Sequence, residues 1–255
     1  QKFPIRHVCR ASYRDATRER RGCAVPAERP HRIELPVMEA ERAHAEIRSF
    51  RPGDLAAVYD ICVRTADAGR DARGRYRSDD LMPDFFAGPY VFLEPRLAFV
   101  LDAGSGPVGY VIGTSDTARF VADYRAQWIP RLADRYPEPV GEPVTADDVM
   151  IGLHYWPERM LVPELAAYPA HLHIDLLPTV QGKGYGRALM ARMFDALAAD
   201  GAAAVHVGMV TENTGARAFY DRLGFHVIDV PDAGVLTYLG RSTSSPLTLN
   251  SRPAR

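Results

Sequence analysis

His171-Leu-His-Ile-Asp-Leu-Leu-Pro-Thr-Val-Gln-Gly-Lys-Gly-Tyr-Gly-Arg187 decides the fold. The apolar half predicts a strand over His171–Leu177. A glycine-rich turn follows and opens a helix. The first N–H groups of such a helix lack backbone partners, and the helix dipole points its positive end at the turn. Glycines at 182, 184 and 186 let an anion approach the backbone, and Lys183 and Arg187 add charge at the rim. The spacing fits neither the Walker loop nor the dinucleotide Gly-x-Gly-x-x-Gly, because Arg187 stands where the third glycine belongs.

Working outward, strands and helices alternate. Tyr185–Asp200 is strongly amphipathic, with Leu189, Met190, Met193, Phe194 and Leu197 on one face and Gly201 closing it. Ala204–Val210 reads as a strand and Asn213–Leu223 as a helix with Asn at its start. Phe225–Val230 and Val235–Leu239 complete a sheet. Upstream, Glu46–Phe50 is a short strand. Pro52 opens a helix carrying Leu55, Val58, Ile61 and Cys62, and Asp79–Phe86 suggests another. Leu97–Leu101 and Val108–Ile112 form a hairpin about Asp102-Ala-Gly-Ser-Gly106. Thr117–Tyr136 reads as a helix, followed by a Pro- and aromatic-rich stretch to Pro169. This long segment, with Trp128, Tyr136, His154, Tyr155 and Trp156, is either extra core or a wall over a groove. One mixed α/β domain over 45–240 is expected.

The chain has 255 residues, 47% apolar and 25% charged, with a net charge of −1. These globular values exclude a disordered or collagenous chain and argue against a nucleic-acid coat. No stretch approaches the ~18 apolar residues of a membrane span. Residues 1–37 hold nine Lys/Arg against four Asp/Glu and are broken by Pro26, Pro30 and Pro36, so a disordered basic tail is expected, with Met38 a plausible start. Residues 241–255 are expected to be a second tail. Lys2 and Lys183 are the only lysines among 31 basic residues, which reads as codon bias. Three scattered cysteines form neither a disulfide framework nor a metal site, so no metal is expected and a reducing, cytoplasmic setting fits.

Gln181-x-x-Gly184-x-Gly186 resembles the pyrophosphate-binding signature of the GNAT superfamily of N-acetyltransferases. His206 to Phe225 resembles that family's later motif, in which Asn213 is followed seven residues on by Tyr220 and then by Leu-Gly-Phe. Several ordered runs look like the acetyltransferase-like C-terminal domain of O-GlcNAcase and its bacterial relatives. They include Arg51-Pro-Gly-Asp54, Gly88-Pro-Tyr-Val91, Val108-Gly-Tyr-Val-Ile-Gly113 and Trp128-Ile-Pro130. The resemblance implies a central mixed sheet, splayed in the middle, with helices on both faces and a long insertion before the acetyl-CoA-binding strand. It implies acetyl-CoA as cosubstrate and an unidentified amine, small molecule or protein, as acceptor.

By the same resemblance, Ile174, Asp175 and Leu176 face the acetyl-pantetheine arm. Gln181, Gly182, Lys183, Gly184, Tyr185, Gly186 and Arg187 hold the pyrophosphate. Asn213 contacts pantetheine, and Tyr220 protonates the leaving thiolate. Many relatives carry a Glu five residues before the Asn, where this chain has Gly208. Asp175, His171, His173 and Glu212 are the remaining candidates for the base, and Asp175 is preferred. His171, His173 and Asp175 alternate with Leu172, Ile174 and Leu176, so the three share one face of the strand. The missing Glu leaves a second reading, a domain that binds acyl-CoA as a sensor or interaction module without transferring the acyl group.

Overall fold

The computed structural model describes residues 45–247. The expected tail over 1–37 lies outside them, as do residues 248–255. Seven strands form one sheet in the order β1-β2-β3-β4-β5-β7-β6. They are β1 (Glu46–Ser49), β2 (Ala98–Asp102), β3 (Pro107–Thr114), β4 (Ala170–Leu176), β5 (Ala204–Val210), β6 (His226–Ile228) and β7 (Leu236–Ser242). All neighbours are antiparallel except β4 and β5, which run parallel and pair only at Ala170↔Val205 and His171↔His206. Beyond those two positions the strands part, and the sheet is splayed as expected.

Helices cover both faces. On one face, α1 (Leu55–Val63), α2 (Leu81–Phe86), α3 (Gly88–Leu93), α4 (Thr117–Asp123), α5 (Ile129–Leu132) and α6 (Ala146–Tyr155) precede β4. α7 (Tyr185–Ala199) and α8 (Thr214–Arg222) follow it and pack on the other. The α7 stripe Leu189, Met190, Met193, Phe194 and Leu197 joins Phe99, Leu101, Val111, Leu172 and Val205 in the larger core. Fully burying each such side chain contributes ~1.5–3 kcal/mol. The opposite core joins Val58 and Ile61 of α1 to Tyr90, Tyr110, Ile112, Phe120 and Trp128.

Thr117–Tyr136, expected as one helix, carries a π turn at Tyr124–Trp128 and ends at Leu132. Pro130 has no N–H to donate four residues back and its ring crowds that carbonyl, so the helix widens ahead of it. α3 and α6 were not foreseen. α6 starts with a capping box, Thr145 accepting from the Asp148 N–H at 3.1 Å and Asp148 from the Thr145 N–H at 2.8 Å. The expected boundary at 240 falls too early. β7 runs to Ser242, the buried Arg241 guanidinium lies 4.6 Å from the Phe194 ring, and Thr243 donates to the Ala202 carbonyl at 2.6 Å. A planar cation stacked on an aromatic ring keeps this part of the chain on the domain.

Candidate active site

The turn after β4 has the backbone its glycines are suited to. Gly182 and Gly184 lie at φ +72° and +89°, the left-handed region, with no atom within 4 Å of where a Cβ would stand. Gly184 is the N-cap of α7 and no side chain caps that helix, so its first N–H groups face outward. Gly186 has a different job. A Cβ there would lie 3.1 Å from the Phe219 ring of α8, so this glycine lets α7 and α8 approach. Gln181 donates to the Leu176 carbonyl and Lys183 to the Thr179 carbonyl, each at 2.8 Å. Arg187 donates to the Leu247 carbonyl, and Tyr185 packs half-buried against the larger core. The side chains thus brace the turn and leave its amides outward.

Where β4 leaves β5, alternation sets the backbone. The Leu177 N–H donates to Val108 of β3 at 3.0 Å. The N–H groups of Ile174 and Leu176 therefore point away from β3, into the gap. His171, His173 and Asp175 share the face toward α1 and α3. They do not form one cluster. The Tyr90 hydroxyl bridges the two histidines, at 2.7 Å from His171 Nε2 and 3.1 Å from His173 Nε2, and His171 Nδ1 meets the Thr117 hydroxyl at 2.8 Å. Burial holds His171 well below the usual histidine range and His173 at about 4, so both are neutral at pH 7. Asp175 accepts from the Tyr110 hydroxyl at 2.5 Å. Burial raises its pKa, and the Tyr110 hydrogen bond opposes that rise. Cys62 is a buried free thiol beneath them, its pKa pushed up by burial.

The other side of the gap carries Asn213 and Tyr220. Asn213 caps α8, its Oδ1 accepting from the Ala216 N–H at 3.0 Å. Tyr220 is 7% exposed, between Phe219 and Phe225. Burial raises its pKa, and the charge of Asp175 adds to the rise. Its hydroxyl makes no hydrogen bond among the described residues. It is not sealed either, because among the described residues His154 Nε2 is the buried side-chain polar atom without a partner. Gly208 is exposed, and a Cβ there would lie 3.1 Å from the ring of Tyr238, its partner on β7. That ring occupies the direction a Glu at 208 would take. Glu212 is exposed at the end of β5.

Of the two roles expected for the long insertion, core packing is the one the contacts support. Asp84 of α2 accepts from Tyr59 and Tyr136 at 2.8 Å and from Arg135 at 2.9 Å, and its carbonyl accepts from Trp128 Nε1 at 2.8 Å. His154 bonds the Tyr124 hydroxyl at 2.7 Å and stacks on Phe85. Past these, Arg159 on the turn Pro157–Met160 lies 5.9 Å from the Phe86 ring, and its charge acts on His173 and Tyr238. Arg159 and Tyr238 were missed in the sequence. Neither lies in a motif, and only the fold brings them to the gap. Among the described residues no group of three or more His, Cys, Asp or Glu is placed to hold a metal, and no helix is long and apolar enough to cross a membrane.

A family model for the acetyltransferase (GNAT) family matches residues 147–225. Protein O-GlcNAcase of Rattus norvegicus is 28% identical over 180 residues, 70% of this chain and 20% of that protein, and the Mus musculus protein of that name matches to the same extent. The chain thus spans about a fifth of the length of the curated relatives it matches. A crystal structure described as SsHAT is 62% identical, with a TM-score of 0.76 over 79% of this chain and 99% of that one. PH1933 from Pyrococcus horikoshii OT3 shares the fold, at 15% identity and a TM-score of 0.51 over 78% of this chain and 98% of that one.

Proposed function

We propose, from the premise that the chain belongs to the acetyltransferase (GNAT) family, that it transfers the acetyl group of acetyl-CoA to the nitrogen of an amine. The observation that carries this is the gap between β4 and β5. Unpartnered amides and Asp175 line it, Tyr220 stands on its far side, and the uncapped α7 N-terminus lies at its end. The residues fit the cosubstrate. Open space above Gly182 and Gly184 admits a diphosphate to the α7 amides, with Lys183 and Arg187 at the rim. Asn213 keeps its amide nitrogen for the pantetheine arm. The thioester supplies an activated acyl carbon. In the balanced reaction a nitrogen–carbon bond forms, the carbon–sulfur bond breaks, nitrogen loses a proton and sulfur gains one.

The Ile174 and Leu176 N–H groups are donors toward the carbonyl oxygen as charge develops there. Asp175 takes the amine proton and the Tyr220 hydroxyl supplies one to sulfur. Cys62 as a free buried thiol suits a reducing, cytosolic setting.

Calorimetry with acetyl-CoA and CoA tests the reading. In Gly184→Val a β-branched residue must adopt φ +89°, which strains the turn and misaims its amides. Affinity is expected to fall tenfold or more, ~1.4 kcal/mol. Unchanged affinity in the folded variant overturns the site.

The Tyr238 ring over Gly208 favours a second reading, an acyl-CoA-binding module that does not transfer. Tyr220→Phe separates the two. In an enzyme it is expected to slow turnover ~10²-fold, the low end of general-acid effects, because a thiolate with a pKa of ~8.5 is already a fair leaving group. Its ring keeps its packing, so cofactor affinity and melting temperature should stay. Full turnover in the variant, where chemistry limits the rate, removes Tyr220 from the mechanism. Binding of acetyl-CoA with no thiol release on a broad amine panel favours the module.

A further inference from the structure

Arg159 is a cation without a counterion at the edge of the gap. Its guanidinium lies 5.9 Å from the Phe86 ring centroid, and the Phe86 ring stands edge-on 6.2 Å from His173 of β4. The Phe86 ring thus links it to the side of β4 that carries His173, and its charge acts on Tyr90, His173 and Tyr238. Its Nε donates to the Leu153 carbonyl at 3.3 Å. Its two Nη atoms make no hydrogen bond among the described residues. Carboxylates of its own turn, of α2 and of β4 are engaged elsewhere: Glu158 by Arg125 at 2.5 Å, Asp84 by Arg135 at 2.9 Å and Asp175 by Tyr110 at 2.5 Å.

Nor is the guanidinium sealed in. Among the described residues the one enclosed, unpartnered side-chain polar atom is His154 Nε2, so the Arg159 Nη atoms keep some solvent contact. Other guanidiniums set into this fold have their donors engaged, by carboxylates or, for Arg241, by the carbonyls of Leu223, Ser242 and Ser245. Arg48 bridges Asp54 and Asp102 at 2.7 Å each, and Arg119 meets Glu94 at 2.6 Å. Desolvation pulls the Arg159 pKa down, and among the described residues the opposing effects come from tyrosines and not from a carboxylate.

We propose that Arg159 binds an anionic group carried by the acceptor, a carboxylate or a phosphate, so that the substrate is a small amine bearing its own negative charge. The inference rests on reading the chain as an acetyltransferase. A guanidinium fork matches both anions in bidentate geometry. An anion held beside His173 directs the amine toward Asp175, two residues along β4, or about 7 Å. That is the span of a short amino acid or aminoalkyl phosphate. Such an acceptor meets a cation at one end and a carboxylate at the other. The arriving ammonium loses two protons, one to Asp175 and one to solvent. Its nitrogen bonds to the acetyl carbon, sulfur takes a proton, and the anion leaves unchanged.

The test uses matched amines that differ only in the anion: amino acids against their primary amides, and aminoalkyl phosphates against amino alcohols. A peptide with a free N-terminus is included. Thiol release is measured at saturating acetyl-CoA, with acetyl-CoA affinity measured separately by calorimetry. The charged member of one pair should be preferred at least 100-fold in kcat/KM, and the arm that responds tells carboxylate from phosphate. Arg159→Gln should collapse that ratio toward one through KM, leaving acetyl-CoA affinity intact, and Arg159→Lys should recover part of it. Equal use of charged and neutral partners, or turnover confined to the peptide, overturns the inference. If no transfer occurs, the same amines are titrated into the CoA-saturated protein. Binding of a charged member that Arg159→Gln abolishes supports the inference, and no such binding overturns it. Failure of acetyl-CoA itself to bind overturns the acetyltransferase reading instead. The matched pairs decide in the unmodified protein even if Arg159→Gln does not fold.

Discussion

Asp175→Asn is expected to lower kcat/KM by ~10²–10³-fold at neutral pH, within the range general bases contribute. Acetyl transfer needs a neutral amine, and Asp175 is the carboxylate on the floor of the gap. Its pKa is raised, by burial against the opposing Tyr110 hydrogen bond. Because the ionised form is the base, the rate should rise with pH as Asp175 loses its proton, and that limb should lie above the ordinary carboxylate range. In the Asn variant the limb should vanish. The loss should also shrink at high pH, where more of the amine is already neutral. The Asn side-chain oxygen still accepts from Tyr110, so stability should change little. Rate profiles against pH, in conditions where chemistry limits, check this. A variant that keeps the wild-type profile would transfer the role to solvent or a histidine.

Acid should destabilise the fold early, from about the pH where a free histidine protonates, ~6.5. Four histidines are held neutral by burial: His154 and His173 at about 4, His171 well below the usual range, and His206 lowered less, with its bond to the Tyr168 carbonyl opposing. In the unfolded chain all four take up protons below ~6.5 while the folded ones do not. The unfolded state then binds more protons, and stability falls as pH falls. Each histidine contributes up to ~1.4 kcal/mol per pH unit, together at most about 5.5 kcal/mol per pH unit. Asp84 and Asp175 act the other way. Burial raises their pKa values, so the fold takes up their protons first and gains stability as pH drops. Two carboxyls against four histidines leave a net loss. Denaturant unfolding between pH 7.5 and 4.5 measures it. A flat profile would show that the histidines ionise in place.

The run from His171 to Arg187 was legible because its structure is local. Period-two alternation, left-handed glycines and a period of 3.6 each leave a mark within a few residues. α6 left a mark too, Thr145-x-x-Asp148, but the prolines around it hid the pattern. What the sequence could not disclose is long-range. Tyr110, the partner of Asp175, is 65 residues away. The role of Gly186 depends on Phe219, and the filling of the space beside Gly208 depends on the β5–β7 register. Arg159 has no periodicity to betray it. A cation becomes informative only when every nearby carboxylate is seen bound to something else.

Lys183, tied to the Thr179 carbonyl at the lip of the glycine turn, is the only lysine among the described residues. The rest of their cationic side chains, histidines aside, are guanidinium groups, which keep their protons throughout the working pH range and are not nucleophiles. An amine-seeking acyl donor, whether guided by an enzyme or reacting on its own, finds one ε-amine on this surface. Among its described residues, this member of an acetyltransferase family offers its own reagent a single ε-amine.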